Sequence, residues 1–306
     1  MIRVSEVEVD GLEQLVEVHN SVHAGGPASV DEFVDWRRQA EDMAWLVAED
    51  EGQVVGAGVG VVGWHARPGT AFAEAWTLPD ARGKGVGNAL FTELLQWAGE
   101  RGCIAVETAV EETDGASREW AERRGFREVG RNSRLVLTLE DVEAPEVAPP
   151  DGIEIVTWAA RPGIERGMYE VFCEAEVDIP GDEETVVSSF EEWLANDMQG
   201  VSDSPEAVFV ALEGDKVVGY AKLALSPEQP DVAFHDLTGV RRAWRGRGIA
   251  GALKRAQIAW AKERGYRKLV TQNEERNEPI RRLNERHGYR VEPGRVILRT
   301  AISGPD

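Results

Sequence analysis

Apolar and polar positions change rhythm along this chain in a fixed order, and the order occurs twice. Residues 2–9 alternate, as a half-buried strand does. Leu12, Leu15, Val16 and His19 then recur at helical spacing, so residues 12–23 read as a helix. Residues 30–40 read as a second helix, with Ser29 as its N-cap. Residues 45–48 and 54–64 read as a hairpin turned at Asp50-Glu51-Gly52. A strand at 71–77 is ended by Pro79. A helix at 85–101 is stopped by Gly102, a glycine placed for the left-handed helix end. A strand at 104–110, a helix at 116–124 stopped by Gly125, and two short strands within 126–139 complete the first half.

The second half repeats this plan. A strand at 153–158 leads to helices at 163–176 and 186–196. A hairpin of 208–212 with 216–225, a strand at 232–240 and a helix at 248–264 follow. A strand at 269–273, a helix at 279–287 and a closing segment at 289–300 finish it. One register relates the halves: Arg82 to Arg245, Gly102 to Gly265 and Gly125 to Gly288 are each 163 positions apart (245 − 82, 265 − 102, 288 − 125). Val54-Val55-Gly56 matches Val217-Val218-Gly219 at the same offset, which indicates a duplicated domain. The expected organisation is a domain at 1–139, an acid- and proline-rich linker at 140–150, and a domain at 151–306. Each follows the order β-α-α-β-β-β-α-β-α-β, a mixed α/β plan.

Each half carries one glycine-rich turn between its fourth strand and third helix. These are Arg82-Gly83-Lys84-Gly85-Val86-Gly87 and Arg245-Gly246-Arg247-Gly248-Ile249-Ala250. The first N–H groups of a helix have no partner within it, and the helix dipole favours an anion there. Glycines let the backbone approach such a ligand, and the arginines and lysine add donors suited to phosphate. Both turns are therefore candidate phosphate sites.

Composition narrows the function. The formal net charge of −21 argues against nucleic acid and anionic membranes as partners; it is compatible with a small cationic acceptor and equally with a charge that only keeps the protein in solution. The two cysteines, Cys103 and Cys173, fall in different halves, so no disulfide framework is expected and a reducing compartment fits. The first residues form no apolar signal region and no run is long enough for a membrane helix, so the expected location is the cytoplasm. No metal-ligand spacing occurs among the histidines and cysteines.

The repeated order, with Arg-x-x-Gly-x-Gly/Ala at Arg82, Gly85, Gly87 and at Arg245, Gly248, Ala250, resembles the GNAT acyltransferase fold. A closing glycine–aromatic pair, Gly125-Phe126 and Gly288-Tyr289, adds to the resemblance. Two fused copies resemble the tandem GNAT group that includes mycothiol synthase. The resemblance implies acetyl-CoA as cosubstrate. Its pyrophosphate would lie on the amides of Gly246 to Ala250, and its pantetheine arm along Thr238, Gly239 and Val240. Backbone donors there would hold a developing oxyanion.

Acetyl transfer to an amine also needs a base. Asp236 is the first candidate, sharing a face with Thr238 by period two; His235, on the other face, is the second. Glu74 stands nearby in the first half. The proton-donating tyrosine of many family members would fall at Ala121 and Asn284, so neither half has it. Asn273, Asn277 and Asn284 place further polar groups where the family meets the cofactor, whereas the first-half twin of Asn277 is Asp114. These asymmetries point to a catalytic C-terminal half and a degenerate N-terminal one. Acceptor contacts are expected from the first two helices of the second half and the loop between them, where Glu176, Asp178 and Asp182 either attract an ammonium group or form a solvated acidic loop. The expected function is acetyl-CoA-dependent N-acetylation of a small-molecule primary amine. The alternatives are acetylation of an aminoacylated sugar, as in the mycothiol synthase group, and a non-catalytic acyl-CoA-binding sensor. Oligomeric state is not legible.

Overall fold

The computed structural model describes residues 1–23, 25–63, 68–178, 187–274 and 277–302. In chain order the elements of the first half are β1 (Arg3–Glu6), α1 (Leu12–Val22), α2 (Val30–Gln39), β2 (Ala40–Asp50), β3 (Gln53–Gly63), β4 (Thr70–Thr77), α3 (Val86–Glu100), β5 (Ala105–Glu111), α4 (Gly115–Glu122) and β6 (Arg127–Thr138). The second half gives β7 (Glu154–Thr157), α5 (Glu165–Val177), α6 (Phe190–Asp197), β8 (Val208–Glu213), β9 (Lys216–Ala224), β10 (Val232–Val240), α7 (Ile249–Glu263), β11 (Lys268–Glu274), α8 (Glu278–Arg286) and β12 (Arg290–Ala301). The expected order holds in both halves. One detail differs: residues 126–139 supply a single long strand instead of two short ones. No helix among the described residues is long and apolar enough to cross a membrane.

The compact units are not the two halves of the sequence. Unit 1 comprises Met1–Arg131 with Arg295–Asp306, and unit 2 comprises Asn132–Gly294. The cause is an exchange of closing strands. Residues 295–301 of β12 pair antiparallel with β5, from Arg295 opposite Glu111 to Ala301 opposite Ala105, and complete the unit 1 sheet β1-β2-β3-β4-β5. Residues 132–138 of β6 pair antiparallel with β11 and complete the unit 2 sheet β7-β8-β9-β10-β11. The domain boundaries expected at 139 and 151 thus divide the chain but not the packed units. The segment expected as the linker makes contacts within unit 2. Lys262 donates to the carbonyls of Leu139 and Val142, and Arg255 donates to that of Ala148 at 2.8 Å.

In unit 1, strand alternation sends Ala44, Leu46 and Ala48 to one face and Met43, Trp45 and Val47 to the other. The first face packs on α3 through Leu90, Leu94 and Trp97. The second packs on α1 and α2 through Leu12, Leu15 and Phe33. On β3, Gly56, Gly58 and Gly60 leave room for α3 to lie close; a Cβ at Gly60 would come within 2.8 Å of the Trp97 ring. Unit 2 is layered alike, with α7 on one face of its sheet and α5 and α6 on the other.

Candidate active site

In both sheets a parallel pair of strands, β4 with β5 and β10 with β11, separates partway along. In unit 1, β4 pairs with β5 only at Thr70, Ala71 and Phe72, although β4 stays paired with β3 as far as Thr77. Beyond Phe72 a cleft opens, and a cavity of about 460 Å³ fills it. Residues 74–77 of β4 form one wall and residues 108–111 of β5 the other. Phe91 and Trp120 supply an aromatic surface, and the turn Arg82-Gly83-Lys84-Gly85-Val86-Gly87 lies at the rim with all but Lys84 on the lining. The volume falls within the roughly 300–1,000 Å³ usual for small-molecule sites.

The turn has the local geometry its sequence implies. Gly83 and Gly85 adopt φ of +77° and +90°, a region costly for residues with a Cβ. Gly85 is the N-cap of α3 and no side chain caps that end. A Cβ at Gly83 or Gly85 would meet no atom within 4 Å, so these glycines are not demanded by packing within the protein. Among the described residues Arg82 and Lys84 form no ion pair, and both are exposed.

Deeper in the cavity, Glu74 accepts from Trp76 Nε1 at 3.3 Å and from Arg295 Nη2. Arg295, carried on the exchanged strand, also donates to the Ala109 carbonyl at 3.1 Å and pairs with Glu111 at 3.3 Å. Burial works against the Arg295 charge, but Glu74 and Glu111 outweigh it and raise its pKa. His23 lines the same cavity, and its Nε2 is buried without a hydrogen-bond partner among the described residues. Asp114 caps α4 by accepting from Ser117 N at 3.0 Å. Burial opposes its charge, but the Ser117 bonds and Arg82 prevail, so its pKa is lowered. Residues 121 and 284 carry no acid: Ala121 is packed in the core, and Asn284 is wholly buried, donating to Asn273 Oδ1 at 3.1 Å.

Unit 2 repeats the scaffold with different occupants. β10 pairs with β11 only at residues 232–234, so the cleft is present, with Thr238, Gly239 and Val240 on the β9 side. A bulge lies between His235 and Thr238. It breaks the repeat locally: the paired residues Val232 and Lys268 match Thr70 and Ala105 at offsets of 162 and 163 (232 − 70, 268 − 105). The period-two argument that joined Asp236 to the face of Thr238 therefore fails, because a bulge inserts a residue between them. Asp236 instead pairs at 2.6 Å with Lys222, a buried lysine that Asp203 also holds at 2.9 Å. Burial opposes the Lys222 charge, but the two carboxylates outweigh it and raise its pKa.

His235 turns inward. Its Nε2 bonds the Tyr289 hydroxyl and its Nδ1 lies 3.2 Å from Lys254 Nζ. Burial, then the Lys254 charge, push its pKa well below the ordinary value. Lys254 and Tyr289 stand where the repeat has Phe91 and Phe126, an edge-on aromatic pair 5.4 Å apart in unit 1. Burial alone pulls the Lys254 ammonium down to about 7.

At the second turn, Gly246 and Gly248 take φ of +75° and +87°, and Gly248 caps α7 at Ile249 with no side-chain bond. Its cations are engaged within the protein. Asp178 binds Arg245 at 2.5 Å and Arg242 at 2.7 Å, and Arg247 pairs with Glu213 at 3.0 Å. The bond from Arg242, against partial burial and with help from Arg245, holds the Asp178 carboxyl at about 2. Asn277 sits at the N-cap of α8, but its side chain does not cap it. Asp182 lies outside the described residues. Glu74 was legible as a candidate, but His23 and Arg295 were not. The first reads as an ordinary helix end, and the second reaches unit 1 only through strand exchange. Among the described residues no cluster of three His, Cys, Asp or Glu side chains is gathered as for a metal ion.

The Acetyltransferase (GNAT) family model matches residues 12–126 and again 166–289. The chain belongs to the GNAT acetyltransferase family. It is a tandem GNAT protein and an acyltransferase. It is 27% identical over 225 residues to mycothiol acetyltransferase of Catenulispora acidiphila, covering 71% of this chain and 68% of that protein. It is also 27% identical to the mycothiol acetyltransferase of Nocardia farcinica, over 72% of this chain and 70% of that one. Among solved structures, a tandem GNAT protein from the clavulanic acid biosynthesis pathway superposes with a TM-score of 0.81 at 19% identity over 100% of both chains. A GCN5-related N-acetyltransferase from Sphaerobacter thermophilus does so with 0.77 at 23% identity, over 100% of this chain and 97% of that one. These two likenesses establish the tandem fold.

Proposed function

We propose that this protein is an acetyl-CoA-dependent N-acetyltransferase acting on the primary amine of a small molecule, and that the reaction takes place in the unit 1 cleft. The observation that carries this reading is the cavity that runs from the split between β4 and β5 to the turn at 82–87, which has no side-chain cap and, among the described residues, no ion pair. The residues there fit acetyl-CoA. The amides of Gly83 to Gly87, with Arg82 and Lys84, would hold the pyrophosphate. The edge of β4 at residues 74–77, released from β5, would take the pantetheine arm and offer N–H donors to the thioester carbonyl. When bound, acetyl-CoA supplies an acetyl group activated as a thioester. Glu74 and Glu111 flank Arg295, so this trio carries one excess negative charge beside which an ammonium group would be held, while Arg82, Arg123 and Arg124 on the rest of the lining suit the anionic cosubstrate. An aminoacylated sugar of the mycothiol type is the finer acceptor reading, and the likeness to the two mycothiol acetyltransferases supports it.

A second reading places the chemistry in unit 2, with Asp236 as base. The bulge beside Thr238 favours it, because a bulge frees backbone donors next to the cleft. Against it, Asp236 is committed to Lys222, and the arginines of that turn are committed to Asp178 and Glu213. Calorimetric titration with acetyl-CoA separates the two, using wild type, Gly85→Glu and Gly248→Glu. Loss of binding only in Gly85→Glu supports the unit 1 site. Loss only in Gly248→Glu moves the site to unit 2. Binding without thiol release in the presence of any primary amine supports the sensor alternative. A wild type that binds no acetyl-CoA overturns the acetyltransferase reading.

A further inference from the structure

We propose that Arg295 is a specificity-determining residue of the unit 1 reaction: it donates a hydrogen bond to the amide carbonyl of an acceptor whose amine sits on the neighbouring carbon, an α-amino amide. The proposal rests on the reading that the unit 1 cleft is the acetyl-transfer site. Three things carry it: where the guanidinium stands, which of its nitrogens is free, and the charge around it.

Arg295 bridges the split. It lies on β12 opposite Glu111 of β5. Its Nη2 donates to the Ala109 carbonyl of β5 at 3.1 Å and to Glu74 of β4. Ala109 and Glu74 both lie beyond Phe72 and Glu107, the last residues at which these strands pair. From Glu74, β4 runs on to Thr77 toward the turn at 82–87, a rise of roughly 10 Å at ordinary strand spacing. The guanidinium therefore stands at the end of the cleft left for the acceptor when phosphates occupy the turn. The fold does not ask for it. Its twin (295 − 163 = 132) is Asn132 of β6, which stands opposite Glu274 as Arg295 stands opposite Glu111.

Two of the three guanidinium nitrogens are engaged. Nη2 serves Glu74 and Ala109, and Nε is enclosed, 3.3 Å from Glu111 Oε1. Nη1 forms no hydrogen bond among the described residues and is not enclosed. The side chain lines the cavity and is 26% exposed, so Nη1 holds the donors that a ligand can reach. Charge decides what they take. Glu74 and Glu111 already overmatch the guanidinium by one. A free carboxylate at Nη1 would add a second excess negative charge, whereas a neutral carbonyl oxygen adds none. The existing excess is matched by the acceptor's ammonium beside Glu74. An α-amino amide carries an ammonium and a neutral carbonyl on adjacent carbons, as this ion pair sets a carboxylate and a guanidinium side by side.

The test uses full-length wild type and Arg295→Lys, whose compact ammonium can hold Glu74 but has no fork to reach the acceptor as well. Thiol release from acetyl-CoA is followed with glycinamide, ethylamine and glycine, and kcat/KM is referred to the unprotonated amine. Melting and calorimetry with acetyl-CoA check folding and cosubstrate binding. A hydrogen bond from a charged donor is worth about 10- to 100-fold. Expected in Arg295→Lys is a loss of kcat/KM with glycinamide at least about tenfold greater than the loss with ethylamine. Expected in wild type is a preference for glycinamide over glycine of about tenfold or more. Equal losses with both amines, the mark of a merely structural role, overturn the proposal. So does glycine serving as well as glycinamide, or thiol release with glycinamide no faster than in buffer. If Arg295→Lys does not fold, Arg295→Gln with Glu111→Gln, which keeps one negative charge in the trio, is read in the same way. Failure of wild type to bind acetyl-CoA, or a rate unchanged in Gly85→Glu, brings down the unit 1 reading itself and is seen separately.

Discussion

Lys254 is wholly enclosed in unit 2, at a place where the repeat puts Phe91 in unit 1. Burial takes its pKa from 10.5 to about 7, equivalent to about 5 kcal/mol of native-state penalty at the standard conversion. The sign follows from the depressed value. Above pH 10.5 the amine is neutral in both states and costs nothing. Between 10.5 and about 7 the unfolded chain takes up the proton and the native one does not, so stability falls as pH falls. Below about 7 both states are protonated and the penalty stays constant. Lys254→Met keeps the length of the side chain and removes the charge. It also removes the partner of His235 Nδ1 at 3.2 Å, a loss of roughly 1–3 kcal/mol. The balance is a gain of about 2–4 kcal/mol at pH 7, or roughly 5–15 °C in the melting of unit 2. Urea unfolding of wild type and variant at pH 7 and pH 10 checks it. The variant should be the more stable at pH 7, and at pH 10, where the penalty has mostly gone and the lost His235 contact remains, level with wild type or less stable by up to about 2 kcal/mol. A variant less stable than wild type at pH 7, or a difference that does not change with pH, would refute the argument.

Lys222→Met should destabilise unit 2 by about 3–5 kcal/mol in thermal melts, because Asp203 and Asp236 lose their shared cation. Asp236→Asn should cost about 1 kcal/mol, since Lys222 keeps Asp203. Asp178→Asn frees Arg242 and Arg245, so acetyl-CoA binding at the second turn, absent in Gly85→Glu, should become detectable by calorimetry when Asp178→Asn is added to that variant. The same contact, with the Asp178 carboxyl at about 2, should persist at pH 4 and be lost as pH falls through about 2, which NMR titration of the carboxyl would follow. Gly60→Val should cost about 1–3 kcal/mol, because its Cβ would meet the Trp97 ring at 2.8 Å.

The element order was legible because each element from β2 onward has a twin 163 residues away with the same periodicity and, after α3 and α4, the same glycine stops, while β1, α1 and α2 recur in the same order at shorter offsets. The exchange of closing strands was not, and the reason is the repeat itself. Leu135 of β6 and Leu298 of β12 are twins (298 − 135 = 163), so either strand offers an equivalent apolar face to the open edge of either sheet. Alternation reports that a strand is buried on one face, but not which copy of a duplicated sheet receives it. The two phosphate turns were legible from glycine spacing. What surrounds them was not. The commitment of Arg245 to Asp178 joins positions 67 residues apart (245 − 178), and Arg295 reaches Glu74 across 221. His235 was read as the second candidate base; Lys254 and Tyr289, which replace two phenylalanines of the first half, engage both its ring nitrogens in the core.

The strand exchange also sets an order on biosynthesis. Domains of a growing chain ordinarily fold one after another from the N-terminus. Here the unit 1 sheet lacks its last strand until residues 295–301 have been made, long after the other 131 residues of that unit. Until then β5 presents an open edge, and an open edge invites pairing with a neighbouring chain. On a polysome, where copies of the same nascent protein are crowded together, that interval is when wrong partners compete with β12.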